Sequence, residues 1–415
     1  MITPVSFERV LAGPPLHGDA EPHQDHLARL GPLPRADRGG DVVVALEASG
    51  LLGRGGAGFP VGRKWRSMAD RRDGKAVLVA NGAEGEPPST KDRALMTCRP
   101  HLVIDGAALA AESVGADEII FYIGSEHETS VASMKRAMDE RRRDVRRPMR
   151  IVTAPVGYVA GEATAAVNFI NRNEARPMTT PPRMSERGVD KRPTLVQNVE
   201  SLAQAALIAR FGPDWYRAAG RHGVKGTALV TVSGAVRREG VREIEIGTTL
   251  GEVLTQAGGI RGQIGAVVLG GYFGTWADLD QAWDLPLDPE IMKSRGLAFG
   301  CGIIAAMPAE ACGIDATAEI MAFLAREGAG QCGPCTYGLH AVADATKRVA
   351  KGIAQDTDLD NLDRWVAQIP GRGACRHPDG AMQLMASALK TFAREFDYHA
   401  HTGRCSVTPR WTPGA

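Results

Sequence analysis

The chain has 415 residues, and its 49 lysines and arginines nearly balance its 48 aspartates and glutamates, for a formal net charge of +1. This length exceeds the usual limit of one hydrophobic core, so two or three domains are expected. The balanced charge gives no reason to expect nucleic acid or an acidic membrane surface as a partner. With no apolar run of membrane-spanning length and no signal-peptide pattern, the sequence predicts a cytoplasmic protein without a direct membrane span.

The first part of the chain predicts an α/β domain. Residues 1–40 have little periodicity and are interpreted as a loosely packed arm or a lead-in to the domain at 41–222. Within that domain, helical patterns at 101–115 and 129–143 alternate with apolar runs at 76–80, 118–123 and 151–154. This alternation predicts a mostly parallel sheet covered on both faces. The arginine-rich run 141–147 is interpreted as a solvated helix end, with a docking patch for an acidic electron carrier as the alternative.

The second half of the chain predicts two further domains. At 223–305, strand patterns at 228–234 and 242–247 and a short helix at 249–259 indicate a small β-rich domain. At 306–415, helical periodicity dominates and predicts a helical bundle, with helices at 318–326, 339–351 and 380–396. Seven cysteines in a cytoplasmic chain favour metal ligands or buried thiols over disulfides.

The stretch Gly50–Trp65 is the most unusual in the sequence, because six of its sixteen residues are glycines. Glycines without Cβ atoms let backbone N–H groups approach a phosphate or a flat ring, and Arg54, Arg63 and Lys64 would add positive charge. The stretch also fits G-x-G-x-x-G, which indicates a dinucleotide site when a strand precedes it. Residues 41–49 fit either a strand or a helix, and a glycine-rich turn without a ligand is the simpler alternative.

Five motifs together resemble one known family. Gly-Arg-Gly-Gly-Ala-Gly-Phe-Pro-x-Gly-x-Lys-Trp resembles the flavin-binding motif of the NADH-oxidising flavoprotein (the 51-kDa type, or F subunit) of respiratory complex I and of related NAD-linked hydrogenases and formate dehydrogenases. Further matches follow in the family's order, over about residues 40–400: Asn81-Gly-Ala-Glu-Gly-Glu-Pro with Lys91-Asp-Arg, Gly161-Glu-Ala-Thr, Pro193-Thr-Leu-Val-Gln-Asn-Val-Glu-Ser-Leu, and Cys332-x-x-Cys335.

The resemblance implies a fold, a set of cofactors and a site. The fold would be α/β: a Rossmann-like FMN-binding domain with a parallel sheet, a small β-grasp domain of the ubiquitin-like SLBB type, and a C-terminal helical bundle of the iron–sulfur type. The cofactor-binding residues would be Gly53, Arg54, Gly55, Gly56, Gly58, Phe59, Lys64, Asn81, Glu84, Glu86, Gly161, Glu162, Gln197 and Asn198. The ligands of a [4Fe–4S] cluster would include Cys332, Cys335 and Cys375.

Departures from the family pattern concern the dinucleotide and the cluster. Ser67 and Arg183 replace two of three aromatic rings offered to NADH, and Ala163 replaces a glutamate. Losing one stacked ring and one charged hydrogen bond weakens binding by about 2.5–6 kcal/mol. Ala329 replaces the first cluster ligand, which leaves a three-iron cluster, a substitute ligand such as His377, or no cluster as alternatives. Two further departures are milder: Ala83 replaces an aspartate, and Gln197 replaces an asparagine of the flavin clasp.

The function implied by the resemblance is electron transfer from NAD(P)H to FMN, through an iron–sulfur centre if one is present, and on to a partner. No catalytic acid or base is needed. The partner would be a ferredoxin-like or thioredoxin-fold iron–sulfur protein or a quinone-reducing complex, with other subunits of a redox complex and a position peripheral to a membrane. The alternative is a scaffold subunit that has kept the fold and lost hydride chemistry.

Overall fold

The computed structural model describes residues 8–16, 18–34, 39–71, 75–405 and 411–413. None of the helices in these ranges is both long and apolar enough to cross a membrane.

A four-stranded sheet organises the first part of the chain. Its strands run in the order β3-β2-β1-β4 and all neighbours are parallel, as predicted. The elements are α1 (His23–Leu30), α2 (Gly39–Ser49), α3 (Val61–Ala69), β1 (Ala76–Gly82), α4 (Lys91–Cys98), α5 (Pro100–Val114), β2 (Ala116–Gly124), α6 (Glu128–Glu140), β3 (Met149–Ala154), α7 (Ala163–Arg172), β4 (Thr194–Asn198) and α8 (Val199–Arg217).

Helices cover both faces of this sheet. In β1, Leu78 and Ala80 face one core, which α2, α5 and α8 complete, whereas Val77 and Val79 face a second core that includes α7. Every side chain of β1 up to Ala80 is therefore buried, as expected for a parallel strand covered on both faces.

The glycine-rich stretch follows a helix. Residues 41–49 belong to α2, whose Val42, Val43 and Leu46 enter the core while Val44 is exposed. Helical spacing of the buried residues explains this result. The strand alternative is wrong, so the G-x-G-x-x-G match does not occupy the strand-to-helix turn of a dinucleotide fingerprint.

A five-stranded sheet forms the second region, in the order β6-β5-β9-β7-β8. Strands β5 and β9 are parallel and the other pairs are antiparallel. The elements are β5 (Thr227–Gly234), β6 (Gly240–Glu245), α9 (Leu250–Gln256), β7 (Ile264–Leu269), β8 (Thr275–Asp278), α10 (Leu279–Ala282), α11 (Pro289–Ser294) and β9 (Ile303–Pro308). Strand β9 crosses the predicted boundary at 305, and the division into domains stays a prediction.

Helices form the last region, as predicted. They are α12 (Gly313–Arg326), α13 (Leu339–Ala350), α14 (Asp358–Gln368), α15 (His377–Thr391) and α16 (Ala393–Thr402). The helix predicted at 380–396 is in fact two helices that meet at Phe392, whose buried ring packs against Trp276. Ser387 accepts a hydrogen bond from the Trp276 backbone at 2.9 Å, which ties α15 to β8.

Two segments, the start of the chain and the arginine-rich run after α6, are more buried than the sequence suggested. Val10 and Leu11 are buried, and Glu243 of β6 accepts a backbone N–H from Leu11 at 3.0 Å, so the described part of residues 1–40 is a packed lead-in. Arg141 is 1% exposed and lies 2.6 Å from the Asp105 carboxylate, so the solvated-helix-end interpretation is wrong for this residue. Arg142, Arg143, Arg146 and Arg147 are exposed.

Candidate functional site

The glycine-rich loop between α2 and α3 is held by its own backbone. Gly53 N donates to Phe59 O at 2.9 Å, and Leu52 bridges to Pro60. A Cβ on Gly53 would lie 3.1 Å from Phe59 O, whereas a Cβ on Gly56 or Gly58 would meet nothing within 4 Å. Gly56 and Gly58 have φ of 98° and 64°, conformations that L side chains rarely adopt. The tip of the loop is therefore an open stretch of backbone shaped by glycine.

The loop lies against the start of α8. Arg54 N donates to Ser201 Oγ at 2.9 Å, and a Cβ on Gly55 would lie 3.3 Å from Asn198 Cβ. Asn198 caps α8 by accepting the N–H of Glu200 at 3.0 Å. The N-terminus of α3 immediately follows the loop. Two helix N-termini beside exposed backbone N–H groups favour a negatively charged group such as a phosphate.

The Arg54 side chain turns away from the loop. Its guanidinium is 4% exposed and donates to Thr227 O at 2.8 Å and to the Tyr216 hydroxyl at 3.2 Å, with Glu200 at 3.8 Å. The expectation that Arg54 adds positive charge to the cradle is therefore wrong. Its side chain joins α8 to the second sheet, a contact between residues 173 positions apart that sequence spacing did not indicate.

Lys64 and Phe59 present the remaining side chains of the stretch. Lys64 Nζ donates to Val196 O of β4 at 2.5 Å, and burial lowers the pKa of this amine to about 8. The Phe59 ring is 56% exposed beside the loop. A buried amine in the first turn of α3 suits a phosphate bound near that N-terminus, and an exposed ring in the loop suits a planar ligand.

The carboxyl ends of β1 and β4 bring the amide side chains together. The register pairs Ala80 with Gln197 and Asn81 with Asn198. Asn81 Nδ2 donates to Gly161 O at 2.9 Å. Gln197 is 4% exposed, and its Oε1 atom is buried without a hydrogen-bond partner. A buried acceptor without a donor is costly, so this atom fits a ligand that supplies an N–H group, such as a flavin ring.

Two predicted glutamates serve as helix caps. Glu84 accepts the backbone N–H groups of Asp92 at 3.2 Å and Arg93 at 3.1 Å at the start of α4, and burial raises the pKa of its carboxyl. Glu162 accepts those of Thr164 and Ala165 at 2.8 and 3.0 Å at the start of α7. Glu84 follows the carboxyl end of β1, as predicted, but the oxygens of both carboxylates already accept hydrogen bonds from the protein.

Glu86 has a more unusual environment. Its carboxylate accepts the Tyr158 hydroxyl at 2.5 Å and the Tyr272 backbone N–H at 3.0 Å, and burial raises its pKa to about 7. No motif in the sequence indicated that either tyrosine contacts Glu86. They are 72 and 186 residues from Glu86, and no spacing rule connects them.

A buried ion-pair network connects the start of α4 with the start of α8. Lys91 Nζ lies 2.7 Å from Asp92 and 2.9 Å from Glu200, and Asn198 donates to Asp92 at 2.7 Å. The burial of Lys91 alone would lower its pKa, but the neighbouring carboxylates raise it, which keeps the amine charged. Lys91, Asp92 and Glu200 lie within the family's motifs, but the sequence indicated no role for them, whereas Asn198 was a predicted cofactor-binding residue. The network couples α4 to the cap of α8.

The cysteines of the C-terminal region supply three thiols. Cys335 is buried, and Cys332 and Cys375 are half-buried. Gly330 N donates to Cys335 Sγ at 3.4 Å. Burial raises the pKa of Cys375, and Glu162, Cys335 and Cys332 raise it further, so the three thiols and Glu162 share one neighbourhood. Ala329 offers no donor atom, so these residues do not form a four-thiolate set.

Comparison with known proteins decides the family. The chain matches the Nuo51 FMN-binding domain over residues 46–207, the SLBB domain over 229–280 and the NADH-ubiquinone oxidoreductase-F iron–sulfur binding region over 315–399. It is 31% identical over 387 residues to the NADH-quinone oxidoreductase F subunit of Streptomyces coelicolor, covering 89% of this chain and 85% of that protein. It is 30% identical over 378 residues to an NADH-quinone oxidoreductase F subunit of Rhizobium meliloti, covering 88% and 90%. The chain belongs to the family of NADH-quinone oxidoreductase F subunits.

A solved structure supports the same conclusion. The crystal structure of NAD+-reducing [NiFe]-hydrogenase in the air-oxidised state has a TM-score of 0.84 at 28% identity, covering 92% of this chain and 67% of that chain. The predicted family and fold class are confirmed. As a member of this family, the chain is an oxidoreductase of the NADH dehydrogenase type with an FMN-binding domain and an iron–sulfur binding region.

Three positions distinguish this family member at its predicted dinucleotide face. Ser67 is exposed, and its hydroxyl donates to the Lys64 carbonyl at 2.8 Å. Arg183 is exposed. Ala163 begins α7 and is half-buried. These side chains provide no aromatic ring and no carboxylate, and weaker NADH binding stays a prediction.

His377, the predicted substitute for the missing cluster ligand, is buried in the C-terminal region. Its ring is 2% exposed, packs edge-on against Tyr158 and Phe273, and places Nε2 2.7 Å from Leu324 O. Since a carbonyl oxygen accepts, Nε2 carries the proton, and the lone pair is on Nδ1, which is buried without a hydrogen-bond partner. A role as substitute ligand would therefore use Nδ1, and it stays a prediction.

Proposed function

We propose that this chain takes a hydride from NADH onto FMN held at the glycine-rich loop and that the electrons leave to a ferredoxin-like or thioredoxin-fold iron–sulfur protein. The observation that carries this proposal is the buried, unpartnered Oε1 atom of Gln197, the residue before Asn198, which the loop approaches at Gly55. When bound, FMN accepts a hydride from reduced nicotinamide and passes its electrons on singly.

In this proposal, the residues of the chain bind the FMN phosphate and orient the flavin ring and the nicotinamide. The N–H groups of the loop at 55–58 and the N-terminus of α3 hold the phosphate, with Lys64 as the nearby cation. Gln197 orients the ring system, and Phe59 covers one face of the nicotinamide. Glu86, held by Tyr158 and Tyr272, places a titratable carboxyl beside the flavin.

The relatives' names support a multi-subunit setting. They are subunits of NADH-quinone oxidoreductases, and the similar solved structure is an NAD+-reducing hydrogenase. We therefore propose that the chain works with other subunits, as a cytoplasmic component peripheral to a membrane complex. Because Ala329 leaves three thiols, we derive no step through a cluster on this chain.

The test is anaerobic reduction of the FMN-loaded chain by NADH, followed at the flavin absorption maximum. Bleaching with weak saturation supports the proposal, and re-oxidation by an added ferredoxin-like protein supports the proposed partner. Gln197→Leu should lower FMN affinity about tenfold by removing one hydrogen bond to the ring. Asn171→Leu, an amide on α7 that donates to Gly188 O at 3.1 Å, is the matched control and should leave FMN affinity unchanged.

The scaffold function remains the second candidate, favoured by the replacements at 163, 183 and 329. A chain that binds FMN tightly but is bleached by neither NADH nor NADPH would select the scaffold. A chain that takes up no FMN would overturn the residue assignments above.

A further inference from the structure

A second group of soft ligands lies where α12 begins and α16 ends. Cys312 precedes α12, His399 lies in α16, and Cys405 follows α16 by three residues. One ligand atom from each lies within 4.8 Å of the other two, the only such group of three among the described residues. None of the three belongs to the sites described above.

The spacing fits a tetrahedral metal ion. Cys312 Sγ lies 3.8 Å from His399 Nε2. With Zn–S near 2.3 Å and Zn–N near 2.0 Å, two ligands of a tetrahedral zinc ion are about 3.5 Å apart for S and N and about 3.8 Å apart for two sulfurs. The Cys312–His399 pair therefore needs a shift of a few tenths of an ångström, and the pairs with Cys405, which lie within 4.8 Å, need at most about 1.3 Å.

The histidine is already oriented as a ligand. Its ring is 1% exposed, and Nδ1 faces the Val349 carbonyl of α13 at 3.3 Å. A carbonyl acceptor places the proton on Nδ1 and leaves a lone pair on Nε2, the atom that faces the sulfurs. This second contact is the usual support for a metal-bound imidazole.

Cys312 is also buried, and its sulfur also has a hydrogen-bond partner. Its side chain is 6% exposed, and its Sγ accepts the Asp315 backbone N–H at 3.4 Å at the start of the 14-residue helix α12. Burial raises the pKa of the Cys312 thiol to about 11, so its proton leaves only when a cation binds. Cys405 is exposed, so the remaining coordination position faces solvent.

We propose that Cys312, His399 and Cys405 bind one zinc ion, with water as the fourth ligand. Binding releases the two thiol protons to solvent. The ion joins the beginning of the C-terminal helical region to its end. Beyond it, the Tyr272 hydroxyl donates to Pro413 O at 2.8 Å and Trp276 lies 6.2 Å from the Trp411 ring, so the zinc anchors a tail that reaches the second sheet.

The test measures zinc in the full-length protein and then challenges it with a chromophoric chelator. Wild type should hold about one zinc ion per chain, and X-ray absorption at the zinc edge should show two sulfur neighbours and one nitrogen neighbour. Cys405→Ser should weaken zinc binding at least about 100-fold. Because Cys405 is exposed, this variant should fold and keep its flavin and iron. Cys98→Ser, a buried thiol that contacts Leu16 O, is the matched control and should retain zinc.

Two results would overturn the proposal. An intact mass two daltons below that of the reduced chain, lost in Cys405→Ser, would show a disulfide between Cys312 and Cys405. Zinc affinity equal in wild type, Cys405→Ser and His399→Gln would place any bound zinc elsewhere and leave the three residues joined by a thiol–imidazole hydrogen bond. Neither result depends on flavin chemistry, so both are independent of the proposed function.

Discussion

The flavin region and the cysteine region of this chain depart from the family pattern in different ways. The flavin cradle consists of backbone N–H groups, glycine conformations and two helix N-termini, and the replacements at Ala83 and Gln197 leave all of these in place. The cysteine region consists of individual donor atoms, and Ala329 removes one of four. A site built from backbone therefore tolerates side-chain change, whereas a site built from side-chain donors loses a ligand with a single substitution.

The largest expected effect is the loss of FMN in Gly56→Val. At φ 98° a Cβ meets no protein atom, so the side chain disturbs the ligand's space and the backbone conformation. We expect FMN affinity to fall at least about 100-fold, measured by flavin fluorescence titration. Gly50→Val is the control, since Gly50 has φ 72°, equally open space and no place in the cradle. Equal loss of FMN in both variants would contradict a specific role for Gly56.

The next effect tests the cysteine region. Ala329→Cys supplies the missing thiolate, so we expect iron to rise from about three or fewer to about four per chain, with greater stability in air. Iron analysis measures the iron content, and electron paramagnetic resonance before and after exposure to air measures the stability of the cluster. Gln331→Cys adds an exposed thiol to the same loop and should change neither. If wild type already holds four irons in an air-stable cluster, another ligand exists and the argument from Ala329 fails.

A smaller effect concerns Glu86 and pH. Its pKa is raised from 4.5 to about 7, so the folded chain binds more protons than the unfolded chain between these values, and its contribution to stability falls as pH rises from 4.5 to 7. The free energy of unfolding of Glu86→Gln should therefore equal that of wild type near pH 4.5 and be larger above pH 7 by up to about 3 kcal/mol. Urea unfolding across this range measures the difference.

Tyr158→Phe checks the cause of that pH effect. The Tyr158 hydroxyl favours the charged form of Glu86, so its removal should raise the pKa of Glu86 further and shift the loss of stability to higher pH. A midpoint that stays unchanged would show that this hydrogen bond does not control the Glu86 titration.

The smallest effect is expected at the dinucleotide face. Arg183→Phe restores one ring on an exposed loop, and we expect NADH to bind about 1 kcal/mol, or roughly fivefold, more tightly. The saturation of flavin bleaching by NADH measures this change. Arg187→Phe, also exposed and four residues away, is the control. A loss of NADPH binding in Arg183→Phe, with NADH unaffected, would instead show that the arginine contacts a phosphate.

The sequence by itself determined the family, the parallel sheet, the small β-rich region, the helical C-terminal region and the positions of the glycine loop and the three cysteines. These features follow from local patterns: apolar runs, helical spacing, and glycines or cysteines at fixed intervals. Only the tertiary structure decided where polar side chains point. Arg54 turns into the core to reach Thr227, Glu84 and Glu162 cap helices, Glu86 finds two distant tyrosines, and Cys312 meets His399 and Cys405. The two caps are local contacts, within nine residues along the chain. The other contacts depend on packing between segments far apart in the chain, where burial makes an unpaired polar group costly and no sequence interval records the partner.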